Sequence, residues 1–210
     1  MKKCVIFAGG VINDLSFINS EKLVKESDLI ICADSGYVYA KKLDIVPNII
    51  LGDFDSYSGN FPDGAEIYRS IPEKDDTDTM LAVKTALSRG CNEITLYGAL
   101  GKRFDHTFAN IQTLIYAYEN SCKMIVIDSE NEITIQGAGE CRYKNREGWY
   151  FSVFALTETV EIFKFSGVKY SLENFNLKIS FPIGVSNEIE GEEAVLNIKN
   201  GLVLIVCSKM

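Results

Sequence analysis

The chain has 210 residues, 47% of them hydrophobic, which is enough for one large domain or two small ones and too apolar for a disordered chain. Lys and Arg number 21 against 29 Asp and Glu, a formal charge of −8, so the basic footprint that a nucleic-acid backbone requires is missing. Met1-Lys2-Lys3 leads into a short apolar run that ends at Gly9-Gly10, too short for a signal segment or a membrane span, and the six cysteines include no C-x-x-C pair, as expected for free thiols in a reducing, cytoplasmic setting.

In chain order, Lys3 to Ala8 reads as a buried strand. Asp14 to Ser27 is a mixed, helical stretch, and Leu29 to Ala33 a second strand followed directly by Asp34-Ser35-Gly36. A short helix over Tyr37 to Leu43 precedes a third strand, Ile49 to Leu51, and a fourth, Ile67 to Ser70. Thr77 is placed to cap a helix running to Ser88, with Met80, Val83 and Leu87 on one face. Glu93 to Tyr97 is a further strand. The strongest helical pattern follows, where Phe104, Phe108, Ile111, Ile115 and Tyr118 form an apolar stripe. Met124 to Ile127 ends this half as a strand. Strands alternating with helices predict a Rossmann-like α/β domain, a mostly parallel sheet with helices on both faces, over residues 1–124.

After about Asp128 the helical period disappears. Short β-branched and aromatic runs alternate with glycine turns: Glu132 to Gln136, Trp149 to Leu156, Thr159 to Phe165, Asn174 to Ser180, Ala194 to Ile198 and Leu202 to Cys207. This pattern predicts an antiparallel β-sandwich over residues 125–210.

Ligands of parallel α/β sheets bind beyond the carboxyl ends of the strands. Asp34, Asp53 and the stretch from Gly98 to Asp105 all fall at such ends. Asp53 and Asp55 lie two apart where a strand ends, and Asp75, Asp76 and Asp78 cluster where a helix begins. Turn formation and helix capping explain some of these acids. So many carboxylates at one cleft also need a cation, and hard oxygen donors with substrate phosphates suit Mg²⁺. Lys74 is either a phosphate contact or a surface lysine. Gly98, Gly101, Lys102 and Arg103 form a loop into the strong helix, suited to phosphate approach but lacking the end of a Walker A motif. Asp105 could bind metal, orient a nucleophile or cap the helix. His106 is the only histidine, which excludes a histidine-rich zinc site. Trp149, the only tryptophan, reads as a core residue of the second half.

Taken in order, Asp34-Ser35-Gly36, Gly52-Asp53-Phe54-Asp55-Ser56, Asp75-Asp76-Thr77-Asp78 and Gly101-Lys102-Arg103-Phe104-Asp105-His106 with Asn110 resemble the thiamine pyrophosphokinase family. The resemblance continues through Gly167-Val168-Lys169-Tyr170-Ser171-Leu172 and Val185-Ser186-Asn187-Glu188. It implies transfer of a pyrophosphoryl group from ATP to the hydroxyethyl group of thiamine, by a homodimer with thiamine held between subunits. It also implies Mg²⁺ on Asp53, Asp55 and Asp78, with Arg103 and Asp105 as active-site groups. Asp34, Lys74, Asp75, Gly101 and Lys102 are then expected at the nucleotide and its phosphates, and Tyr170, Ser186 and Asn187 at thiamine. Two alternatives remain at this point: a pyrophosphokinase for another hydroxymethyl heteroaromatic such as a pterin, and a non-catalytic nucleotide sensor.

Overall fold

The structure, a computed structural model, describes residues 1–54, 59–69, 76–101 and 103–210. The chain divides into two compact units, Met1–Ser129 and Glu130–Met210.

In the first unit the strands are β1 (Lys3–Phe7), β2 (Leu29–Ala33), β3 (Ile49–Gly52), β4 (Glu66–Arg69), β5 (Glu93–Tyr97) and β6 (Lys123–Ile127). They form a parallel sheet in the order β4-β3-β2-β1-β5-β6. The helices are α1 (Ser20–Glu26), α2 (Tyr37–Lys42), α3 (Asp78–Ser88) and α4 (Phe104–Glu119). Every residue of β2 and β3 is buried, as strands covered on both faces require. On one face Val5, Phe7, Ile30, Cys32 and Ile50 pack with Leu23 of α1 and Ala40 of α2. The alternate residues Cys4, Ile6, Ile31, Ile94 and Leu96 are buried too, and α3 packs on β2 and α4 on β6. The α/β architecture expected from the alternation is therefore present. Among the described residues no helix is long and apolar enough to cross a membrane.

Local departures have physical causes. The first helix begins at Ser20 rather than Asp14, because the Asn19 side chain accepts from the Lys22 amide at 2.9 Å and sets the start there. Asp14 instead closes a turn by accepting from the Ser16 amide at 2.8 Å. Thr77 does cap α3, its hydroxyl accepting from the Met80 amide at 3.1 Å. The buried face of α4 is Asn110, Thr113, Leu114 and Ala117, not the expected stripe; Phe104, Phe108 and Tyr118 are exposed. Small side chains let α4 approach β6 closely, and the large rings point outward.

In the second unit, β7 (Asn131–Gln136), β13 (Val203–Lys209) and β9 (Trp149–Ala155) pair antiparallel in the order β7-β13-β9. The strands β8 (Gly139–Lys144), β10 (Thr159–Ser166), β11 (Leu172–Lys178) and β12 (Glu193–Asn200) form a second antiparallel sheet, β11-β10-β12-β8. Phe151, Val153 and Ile205 from one sheet and Ile162, Phe165, Leu196 and Ile198 from the other share one core, as in a β-sandwich. Trp149 is half-buried against that core, with the Arg146 guanidinium 4.3 Å from its ring centroid.

Candidate active site

A cavity of about 370 Å³ opens in the first unit at the carboxyl ends of its strands. It lies where the strand order reverses at β1, between β2 and β5, which is where open α/β sheets bind ligands. Gly9 and Gly10 after β1, Asp34 after β2, Gly98 to Gly101 after β5, Thr77 to Thr79 at the start of α3, and Arg103, His106 and Asn110 of the α4 region line it.

The loops meet backbone to backbone. The Gly10 amide donates to the Gly98 carbonyl at 2.8 Å. A Cβ on Gly10 would lie 2.3 Å from that carbonyl oxygen, and one on Gly98, where φ is +69°, would lie 2.5 Å from the Ala8 carbonyl oxygen. Only glycine fits either position. Tyr39 of α2 secures the first loop, donating its hydroxyl to the Gly10 carbonyl at 2.8 Å and accepting from the Ile12 amide at 3.1 Å. Asn110 secures the other: its Nδ2 donates to the Ala99 carbonyl at 2.7 Å from within the buried face of α4.

Among the described residues, two carboxylates, those of Asp34 and Asp78, line this cavity. Asp34 starts a 3-10 turn, Asp34–Gly36, with φ +51°. Asp78 is the first residue of α3, directly after the Thr77 cap. Asp53 follows Gly52, whose backbone lies so close to Asp34 that a Cβ on Gly52 would be 3.0 Å from the Asp34 Cα. Asp53 itself is half-buried at that edge and is not among the cavity-lining residues. Asp76 is committed elsewhere, accepting from Lys84 Nζ at 2.7 Å through each carboxylate oxygen. Asp55, Lys74, Asp75 and Lys102 lie outside the described residues. Among the described residues no three His, Cys, Asp or Glu side chains form a metal cage. Mg²⁺ needs no such cage, since it is commonly held by one or two carboxylates together with substrate phosphates and water. The oxygen donors of Asp78 in the cavity wall and of Asp53 after β3 suit that chemistry.

Arg103 and Gly101 line the cavity, while Asp105 does not. Arg103 Nη2 and Nε donate to the two carboxylate oxygens of Asp105 at 2.5 and 3.2 Å. The Arg103 guanidinium is the main cause that holds the Asp105 carboxyl below the usual carboxylate range, and Asp105 raises Arg103 in turn. The pairing disfavours protonation of Asp105 and orients the Arg103 guanidinium. Arg103 sits at the N-cap of α4 and caps no amide with its own side chain, while the His106 amide donates to Asp105 Oδ1 at 2.9 Å; the positive end of the helix still favours an anion beside Arg103.

In the second unit, Tyr170 and Ser186 are exposed and Asn187 is buried. The Tyr170 amide donates to Asn187 Oδ1 at 3.0 Å, and Asn187 Nδ2 donates to the Tyr170 carbonyl at 3.0 Å, so the structure brings these two expected residues together. The Ser186 amide donates to Ser152 Oγ of β9 at 2.9 Å. Sequence reasoning missed the loop-securing roles of Tyr39 and Gly10 and the place of His106 in the cavity wall. The Gly9-Gly10 pair after a buried strand was the available signal.

The family description "Thiamin pyrophosphokinase, catalytic domain" matches residues 20–126, and "Thiamin pyrophosphokinase, vitamin B1 binding domain" matches residues 125–203. The chain is 29% identical over 216 residues to the thiamine pyrophosphokinase of Bacillus subtilis (strain 168), covering 99% of each sequence. Its fold is similar to the crystal structure of a Bacillus subtilis thiamine pyrophosphokinase, with a TM-score of 0.89, 27% identity and 100% of each chain covered. It is also similar to a thiamin pyrophosphokinase family protein from Enterococcus faecalis, with a TM-score of 0.86, 26% identity and 100% of each chain covered.

Proposed function

The chain belongs to the thiamin pyrophosphokinase family, and on that premise we propose that it transfers the β,γ-pyrophosphoryl group of ATP to the hydroxyethyl oxygen of thiamine. The observation that carries this reading is the strand-end cavity that gathers Asp34, Asp78, Gly101 and Arg103. In the reaction the thiamine oxygen attacks the β-phosphorus, the bond from that phosphorus to the bridging oxygen breaks, and AMP leaves with the bridging oxygen. The hydroxyl proton passes to a cavity carboxylate or to water. The first unit is the nucleotide-binding catalytic domain and the second the thiamine-binding domain.

This chemistry rests on alignment and charge neutralisation more than on covalent catalysis. The backbone of Gly98 to Gly101 and the start of α4 offer amide donors to the polyphosphate. Arg103, held in orientation by Asp105, faces the charge that builds toward AMP. Lys74, Asp75 and Lys102 complete the phosphate contacts by resemblance, and Asp34 contacts the nucleotide. Asp53, Asp55 and Asp78 would hold Mg²⁺, which supplies countercharge to the phosphates when bound. Tyr170 presents an exposed ring suited to a cationic heterocycle, with Ser186 beside Asn187.

The same proposal includes a cytoplasmic homodimer. All six cysteines are free, which supports a reducing setting, and exposed Ile179, Phe181, Ile183 and Val185 give the second unit an apolar surface for a second copy. The vitamin B1 binding domain match speaks against a pterin acceptor and against a nucleotide sensor. A competition panel of alcohols tests the acceptor: thiamine is expected to be used in preference to a hydroxymethylpterin, and the reverse preference would overturn the assignment.

A further inference from the structure

We propose that Asn187 is not a direct thiamine contact but a positioning residue that acts through Tyr170. This deepens the reading of the second unit as the thiamine-binding domain and rests on it.

The amide of Asn187 is already committed. Its Oδ1 accepts from the Tyr170 amide and from the Glu188 amide, each at 3.0 Å, and its Nδ2 donates to the Tyr170 carbonyl at 3.0 Å. Both lone-pair directions of the oxygen and one of the two N–H groups are thereby used. The remaining N–H belongs to a residue only 3% exposed. Tyr170, by contrast, is 61% exposed. The side chain thus grips the backbone of Tyr170 from both sides and leaves the ring outside.

The surroundings make this grip a rigid platform. Val168 and Ile189 form an antiparallel bridge. The Lys169 amide donates to the Glu188 carbonyl at 2.9 Å, and the Glu190 amide to the Gly167 carbonyl at 2.8 Å. Lys169 Nζ pairs with Glu188 at 2.8 Å. The second segment is fastened to β9, with the Phe151 amide donating to the Asn187 carbonyl at 2.7 Å and the Ser186 amide to Ser152 Oγ at 2.9 Å. The backbone from Gly167 to Tyr170 is therefore referenced to the sandwich core through 187–190, and the Asn187 side chain ties Tyr170 into this ladder at both its N–H and its carbonyl. Tyr170 and Ser186 are the exposed groups left to meet a ligand.

A double-mutant cycle separates positioning from contact. Loss of a ring–cation contact is expected to raise the KM for thiamine about tenfold in Tyr170→Ala, with kcat and the KM for ATP held within about twofold. Asn187→Ala is expected to give a comparable rise by releasing the ring. In the Tyr170→Ala background, Asn187→Ala should then add nothing further. Multiplicative effects of the two substitutions would overturn the proposal, because a direct contact survives loss of the ring. Amide hydrogen exchange on the unmutated chain gives a second reading that needs no variant to fold. The Tyr170 and Glu188 amides are expected to be protected equally with and without thiamine, whereas exchange at open-loop rates, or protection that appears only with thiamine, would contradict the arrangement. Absence of any thiamine turnover by the unmutated chain would count against the proposed function. The exchange measurement would still decide the role of Asn187 at Tyr170.

Discussion

Asn110 Nδ2 reaches across from the buried face of α4 to the Ala99 carbonyl, 2.7 Å away, and so ties the helix to the glycine loop that walls the cavity. Asn110 is 7% exposed, so its amide is a buried polar group whose partner is the loop itself. Asn110→Ala leaves the Ala99 carbonyl without this donor, at a cost of about 1–3 kcal/mol. The expected outcome is a lower melting temperature together with a raised KM for ATP and an unchanged KM for thiamine. An unchanged KM for ATP would show that the loop does not need this tether.

Gly98 faces a stricter constraint. Its φ is +69° and a Cβ there would lie 2.5 Å from the Ala8 carbonyl oxygen. Gly98→Ala combines a left-handed conformation, costing about 1–2 kcal/mol, with a displacement of the β5 loop from the β1 loop. Chemical denaturation is expected to show that loss or more, and binding of a non-hydrolysable ATP analogue should weaken in parallel. A variant as stable as the parent would mean the two loops are free to separate.

The pair Arg103 and Asp105 sets a pH expectation. The guanidinium depresses the Asp105 carboxyl, so the pair's stabilisation is fully present above the ordinary aspartate range and is lost as pH falls through the lower folded value. Both side chains are largely exposed, so the titration rather than the melting temperature carries the signal. Carboxyl-carbon NMR should place Asp105 below an ordinary aspartate in the parent chain and near one in Arg103→Ala. Identical titration in the two would remove the ion pair from the account.

The acidic residues proposed for Mg²⁺ are expected to act on turnover more than on folding. Asp78 is the first residue of α3, and the Thr77 cap survives its replacement. Asp78→Asn and Asp53→Asn are each expected to lower Mg²⁺-dependent turnover by about 100-fold or more while leaving the melting temperature within a few degrees. Retained turnover in both would exclude them as metal or phosphate partners.

Much of this arrangement was legible in the sequence, because its signals are local. Apolar runs ending in Gly or Asp marked the parallel strands and placed Asp34, Asp53 and Gly98 at their carboxyl ends, and Thr77 declared its helix start. The signals that failed depend on tertiary context. The apolar stripe of α4 pointed to Phe104 and Phe108, but close packing on the sheet selected Asn110, Thr113 and Ala117 instead. Strand β8 was missed because it is a sheet edge in which Cys141 and Tyr143 alternate with Glu140, Arg142 and Lys144, so its inward face is only partly buried. For Asn187 the motif gave a place beside the ligand, and only the three hydrogen bonds to Tyr170 and Glu188 reveal what its amide is used for.

The identity of the nucleotide product tests the central claim most directly. With thiamine, ATP and Mg²⁺ supplied together, the expected products are thiamine diphosphate and AMP in equal amounts, read by phosphorus NMR or by chromatography. ADP with thiamine monophosphate, or no thiamine product at all, would contradict it.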